Sequence, residues 1–324
     1  MVWTDLHAKI HRIIRARGLF TQHQRLLVAV SGGQDSLCLA KLLLDLQTKW
    51  GWGLAVAHCD HRWRVDSEAN AEYVGRLAKD WGLPFYLEVA NEVINSEEKA
   101  RIWRYQALTK IAEVHGFSAV VTGHTASDRA ETLLYNLIRG TGADGLQALT
   151  WQRPLTANIT LVRPLLVVTR GQTEQFCQEF NLQIWPDSTN EDLKFARNRI
   201  RQELLPYLRQ NFNPKVEANL AQTAELLQAE VEYLEQAAAQ LRLEAVEGLE
   251  VLPVRINRRK LKTVPLALQR RVMRQILQSV LVEAPNFEQI EKLVALITAP
   301  NRSQTDPFPG GAIAQVNGDW IYLN

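Results

Sequence analysis

Short apolar runs alternate with helically spaced segments along the first half of the chain. Leu26 to Val30 is apolar and β-branched near its end, and "GLAVAHCD" (53–60), "PFYLEVA" (84–90) and "SAVVTGH" (118–124) follow in the same style. Between them Leu37 to Leu46, 66–81, 97–115 and 129–138 have helical periodicity, as in Ile102, Tyr105, Leu108, Ile111 and Ala112. Strands alternating with helices predict an α/β fold built on a doubly wound parallel sheet, whose ligands bind beyond the carboxyl ends of the strands. Further on, Thr169 with Gln172 three residues later predicts a capping box opening a helix that runs through Phe180. Pro214 marks a boundary. Beyond it Leu220, Leu227, Val231, Leu234 and Leu241 keep a near-heptad rhythm, so a long helix opens a second domain. The chain therefore divides into a domain over 1–213 and a smaller, mainly helical one over 214–324, which closes on a hairpin in "GGAIAQVNGDWIYLN".

Composition narrows the class. The 324 residues are 46% hydrophobic and 22% charged, ordinary for a soluble chain with room for two cores. No apolar run approaches the ~18–20 residues of a membrane span, and "MVWTDLHAKIHRIIRARG" reads as a basic amphipathic helix without a signal-peptide core, so a cytoplasmic location with no membrane contact is expected. Cys38, Cys59 and Cys177 are far apart and contain no Cys-x-x-Cys, which predicts neither a disulfide framework nor a metal site. The net charge of +2 argues nothing by itself, but its distribution does. Residues 216–250 hold Glu217, Glu225, Glu230, Glu232, Glu235, Glu244, Glu247 and Glu250 against Arg242 alone. Residues 253–277 hold Arg255, Arg258, Arg259, Lys260, Lys262, Arg270, Arg271 and Arg274 with no acid. Two arrangements account for this: helical faces that neutralise each other, or a basic face for a phosphate backbone.

The chemistry concentrates in "AVSGGQDSLC" (29–38), which joins a strand to a helix. Gly32 and Gly33 permit positive φ and close approach of another molecule, and the helix starting near Asp35 offers unpaired N–H groups and a positive dipole end. That is a phosphate cradle. An isolated Gly-Gly with a capping Ser or Asp would be a plain loop, but five fixed positions match by chance with probability on the order of 10⁻⁴ to 10⁻³. No Gly-Lys-Ser/Thr follows, so the Walker type is excluded. Two more polar loops, "HCDHRWR" (58–64) and "GHTASDRAET" (123–132), follow the second and fourth strands, and their coincidence points to one site. Asp128 and Glu131, at i, i+3, share a helix face suited to an ammonium group.

The motif Ser-Gly-Gly-x-Asp-Ser resembles the pyrophosphate loop of the N-type ATP pyrophosphatases, which cleave ATP between its α- and β-phosphates. With "DHRWR" (60–64), "ARIWRY" (100–105), "GHTASDRAETLLYNLIRGTGADGL" (123–146), "RPLL" (163–166) and "DSTNEDLKFARNRIRQELLP" (187–206), the order of motifs is similar to the tRNA(Ile)-lysidine synthetase family, in its short form. That resemblance implies ATP and Mg²⁺, and a reaction joining L-lysine to C2 of the wobble cytidine of a CAU-anticodon isoleucine tRNA. It implies that Ser31, Gly32, Gly33, Gln34, Ser36, His58, Arg64 and Gly123 bind the ATP phosphates. Asp35 holds the metal, and Asp35, Arg104 and Arg197 act in catalysis. His124, Asp128 and Glu131 take the lysine, unless the two carboxylates ligate Mg²⁺, and Arg258, Arg259, Arg270 and Arg271 of the basic segment take the tRNA. A homodimer is compatible with the sequence. Two positions depart from the family pattern: Ser127 stands where Asp is common, and Asp187-Ser188-Thr189-Asn190 where Asp-Pro-Ser-Asn is common. The competing expectations are a thiolating relative and a non-catalytic nucleotide- or tRNA-binding module.

Overall fold

The computed structural model describes residues 3–94, 96–186, 193–248 and 253–324. The turn 187–190 and Glu250 lie outside the described residues. The chain forms two compact units, Met1–Leu227 and Gln228–Asn324, divided within a long helix.

The first unit opens with α1 (Asp5–Arg17), then alternates β1 (Arg25–Ala29), α2 (Gln34–Trp50), β2 (Gly53–Asp60), α3 (Ser67–Asp80), β3 (Phe85–Val89), α4 (Glu97–His115), β4 (Ala119–Val121) and α5 (Ala126–Ile138). The short α6 (Ala143–Leu146), β5 (Gln152–Pro154) and β6 (Thr160–Val162) follow, then α7 (Arg170–Glu179), α8 (Ala196–Arg199), a π-helical turn Ile200–Leu204 and α9 (Leu205–Asn211). The sheet order is β3-β2-β1-β4-β6-β5, parallel except for β5, which runs antiparallel to β6. The two-residue period of β1 sorts its side chains. Leu26 and Val28 enter one core with the apolar side of α2, while Leu27 enters another with Leu108, Ile111 and Ala112 of α4. Helices thus cover both faces, which is why these strands are almost wholly apolar. The strand order reverses between β1 and β4, so the loops leaving those strands diverge and open a crevice there.

Helix α10 (Val216–Ala245) follows Pro214, and Glu225 in its first part receives Arg129, Arg17 and the Trp151 indole, all in the first unit. The second unit contains β7 (Val246–Glu247), β8 (Val254–Asn257), α11 (Arg258–Lys262), α12 (Leu266–Val280), α13 (Phe287–Ala295), β9 (Ala314–Asn317) and β10 (Trp320–Leu323). Its antiparallel sheet, ordered β7-β8-β10-β9, adds to the expected helices; β7 and β8 are too short for their alternation to stand out in sequence. The terminal hairpin pairs Asn317 with Trp320 around Gly318 at φ +60°.

Candidate active site

The turn between β1 and α2 is shaped by its own side chains. Ser36 Oγ accepts from Ser31 N at 3.1 Å and donates to the Gly33 carbonyl at 2.9 Å, while Ser31 Oγ accepts from Gly33 N at 3.4 Å. Gly32 sits at φ +89°, and a Cβ there would lie 2.5 Å from Asn70 Oδ1 and 3.2 Å from Trp185 Cβ. Both neighbours grip the loop: Asn70 Nδ2 donates to Ser31 O at 3.0 Å and Trp185 N donates to Gly32 O at 3.0 Å. Gly33 caps α2 without any side-chain hydrogen bond to the first-turn N–H groups, which therefore remain open for an anion. Gln34 faces away from this cradle, donating to Arg170 O at 2.8 Å and Thr173 Oγ1 at 3.0 Å.

Gly123 ties the fourth strand's loop to this turn. A Cβ on it would stand 2.8 Å from the Asp35 carbonyl oxygen and 3.0 Å from Ser36 N, so only glycine lets the two loops touch. His58, at the end of β2, is buried and donates through Nδ1 to Val30 O at 2.7 Å; burial lowers its pKa, so it rests as a neutral imidazole. Arg64 is committed elsewhere in the same loop, with its guanidinium on Asp66 and on Pro186 O at 2.7 Å. Arg64 and the Trp185 indole together hold the Asp66 carboxyl down at about 2.

Asp35 accepts from Thr173 Oγ1 and faces Arg170 Nε at 3.4 Å, both from the first turn of α7. Burial raises its pKa, the Arg170 charge opposes that, and the Asp128 carboxylate adds to it. Asp128 is the third residue of α5 and closes a capping box with Thr125, accepting from Thr125 N at 2.7 Å and Thr125 Oγ1 at 2.8 Å. Burial works against its charge, but Arg201 and the Thr125 N–H outweigh it and leave the pKa below the ordinary value. His124 is held neutral by burial and by the nearby Arg163 charge, and its Nδ1 lies 2.9 Å from Thr122 Oγ1. Glu131 is 3% exposed and bound by both arms of Arg201, Nε to Oε1 at 2.6 Å and Nη2 to Oε2 at 2.7 Å. Burial still raises the Glu131 pKa despite that partner. Nη2 of Arg201 also lies 3.4 Å from Asp128 Oδ1, so one guanidinium spans both carboxylates.

Arg104 is exposed on α4, and its charge reaches Cys59 at the end of β2 and His124. Arg197 pairs with Glu97 at 3.1 Å and lies 5.4 Å from the Tyr135 ring centroid. Arg258, Arg259, Arg270 and Arg271 belong to the second unit. Arg258 donates to Ala299 O at 2.8 Å, Arg270 holds Glu291 at 2.7 and 3.0 Å, and Arg271, 9% exposed, is bonded to Glu235 together with Arg274. Neutralising contacts thus take up part of the basic segment, while Arg259, Lys260 and Lys262 are exposed.

Sequence reasoning passed over Arg170, Thr173 and the bridging role of Arg201. A signal existed for the first two, since the Thr169–Gln172 capping box places both in the first turn of α7. Ser127 also has its explanation. It is buried, donates to Glu217 Oε2 at 2.5 Å and accepts from Arg170 N at 3.2 Å, whereas an aspartate there would set two carboxylates against each other.

A phosphate cradle at the point where strand order reverses, without a Walker lysine, defines the PP-loop class of ATP-using proteins. The family model described as a PP-loop domain matches residues 3–208, and one described as a TilS substrate binding domain matches residues 256–319. A tRNA(Ile)-lysidine synthase of Nostoc sp. is 71% identical over 100% of this chain and 98% of its own length, and one of Synechocystis sp. is 52% identical over 99% and 98%. The chain belongs to the tRNA(Ile)-lysidine synthase family. Among solved structures, a U34-tRNA thiolase of Methanococcus maripaludis shares the fold at a TM-score of 0.58, with 15% identity over 69% of this chain and 78% of that one.

Proposed function

We propose that this protein adenylates the wobble cytidine, position 34, of a CAU-anticodon isoleucine tRNA and replaces its C2 oxygen with the ε-nitrogen of L-lysine. The observation that carries the reading is the contact between Gly123 and the Asp35 backbone, which makes the phosphate cradle and the Asp128–Glu131 helix parts of one site.

In the first step cytidine O2 attacks the α-phosphorus of ATP, and the bond to the β-phosphate oxygen breaks as pyrophosphate leaves with its electrons. The Ser31–Ser36 turn and the first turn of α2 receive the pyrophosphate. Asp35 is a carboxylate oxygen donor beside the cradle, which fits Mg²⁺ arriving with the triphosphate. Asp35 would hold the ion, which when bound offsets charge on phosphoryl oxygens. Arg104 is exposed beside His124 and positioned to meet charge on the α-phosphate. In the second step the neutral ε-amine of lysine attacks C2, the C2–O2 bond breaks, and AMP leaves carrying that oxygen. Asp128 receives the lysine α-ammonium on the oxygen that Thr125 leaves open, with Glu131 fixed behind it by Arg201 and with neutral His124 alongside. Arg197 of α8, anchored on Glu97, lies over Tyr135 of α5, the helix that carries Asp128 and Glu131. The second unit contacts the tRNA through its exposed basic residues, and the reaction takes place in the cytoplasm.

A thiolating activity fits less well. Cys38 and Cys177 are buried, and burial raises all three thiols, Cys59 and Cys177 to about 12, so none is a ready thiolate. No helix among the described residues is long and apolar enough to cross a membrane.

The decisive assay incubates protein, tRNA, ATP, Mg²⁺ and lysine, and reads pyrophosphate release and lysine-derived mass on the tRNA. Asp128→Asn with Glu131→Gln should keep pyrophosphate release while raising the lysine requirement on the order of tenfold to a hundredfold, the value of about one charged hydrogen bond. If both steps slow equally and excess lysine rescues neither, the carboxylates belong to the ATP site.

A further inference from the structure

Beside the site, on the α4 side of the sheet, arginines gather around one tyrosine. Arg153 of β5 lies 4.7 Å and Arg101 of α4 lies 5.4 Å from the centroid of the Tyr105 ring, and Tyr105 also feels the Arg163 charge. Arg163 is 2% exposed. Its Nη1 donates to Thr150 O at 2.7 Å, and its Nε is buried with no partner. Arg101 feels the charges of Arg197, Arg104 and Arg153, and Arg163 feels those of Arg153 and Arg101, each lowering its pKa together with burial. Among the described residues, none of Arg101, Arg104, Arg153 and Arg163 is ion-paired with a carboxylate. A fold spends stability to hold like charges this close, and such clusters are kept where an anion completes them.

The pyrophosphate cradle does not supply that anion, since it is built on β1 and α2 whereas this cluster rests on α4, β5 and the residue after β6. The two are joined through Thr122, whose N–H donates to Val162 O beside Arg163 at 3.0 Å and whose hydroxyl lies 2.9 Å from His124 Nδ1. An anion bound to the cluster therefore borders the reacting centre. Arg163 is too buried to touch it, and Tyr105, flanked by two guanidinium groups, acts as the platform that spaces them.

We propose that Arg101 and Arg153 form a phosphodiester subsite that clamps the tRNA backbone next to the target cytidine, with Tyr105 and Arg163 as its positioning residues. The proposal rests on the tRNA reaction assigned above. A backbone clamp at this place would hold the anticodon strand while the base turns toward the α-phosphate, and guanidinium groups suit phosphate oxygens better than a point charge does.

The test measures the Kd of the CAU-anticodon isoleucine tRNA over a series of salt concentrations, and the Kd of ATP, for wild-type protein, Arg153→Ala, Arg101→Ala and Arg153→Lys. Each alanine variant should weaken tRNA binding about five- to tenfold and reduce the slope of log affinity against log salt by about 1. ATP affinity should stay within about twofold, and Arg153→Lys should restore the slope. Unchanged tRNA affinity and slope in both alanine variants would overturn the proposal. Weakened ATP binding with unaltered tRNA binding would overturn it too, by giving the cluster to the nucleotide. Lysine incorporation by the wild-type protein, read in parallel, tests the reaction itself and fails independently of these affinities.

Discussion

Replacing Arg201 with methionine removes the two-armed partner of a carboxylate that is 3% exposed. Breaking a fully buried ion pair costs about 3–5 kcal/mol, because the remaining charge is stranded. Here 25% of the Arg201 side chain is exposed, so solvent moderates the loss and about 2–3 kcal/mol is expected near pH 8. For a unit of 227 residues that corresponds to a fall of about 5–10 °C in its melting temperature, read by calorimetry. The pH dependence follows from the direction of the Glu131 shift. Burial already raises its folded-state pKa above the ordinary value, and loss of Arg201 raises it further. Below about pH 4.3 the carboxyl is protonated in both folded and unfolded chains and the stranded charge disappears. As pH climbs through the raised folded-state pKa the full cost returns, so the gap between wild type and Arg201→Met should widen from pH 5 to pH 8. Adding Glu131→Gln should restore most of the stability. A loss under about 1 kcal/mol at pH 8, a gap flat with pH, or a double variant no better than the single one would refute the reasoning.

Asp35→Asn should melt at an unchanged temperature, since it relieves a buried charge, yet release pyrophosphate at least about 10²-fold more slowly; near-normal release would remove Asp35 from the chemistry. Gly123→Ala drives a Cβ against the Asp35 backbone, which no rotamer change relieves, so a loss of about 1–3 kcal/mol and a raised KM for ATP are expected from melting and steady-state kinetics. In the second unit, Arg271→Glu faces Glu235 and should lower stability, whereas Arg259→Glu with Lys260→Glu and Lys262→Glu should leave melting unchanged and flatten the salt dependence of tRNA binding.

The sequence by itself determined what local geometry controls. A five-residue apolar strand, two glycines and a helix starting at Gln34 make a phosphate cradle wherever they occur, because positive φ and free N–H groups are properties of that short stretch. The capping box at Thr169 was legible for the same reason, and the strand–helix alternation carried the sheet. Tertiary structure alone decided which charges meet. Arg201 lies 70 residues from Glu131 and Thr173 lies 138 from Asp35, and no periodicity links such positions. It also decided that part of the basic segment neutralises Glu235, while Arg101, Arg153 and Arg163, with no carboxylate partner among the described residues, assemble around Tyr105 from α4, β5 and the end of β6. Pairing of charges depends on burial and distance after the sheet closes, and a linear pattern of charges holds neither quantity.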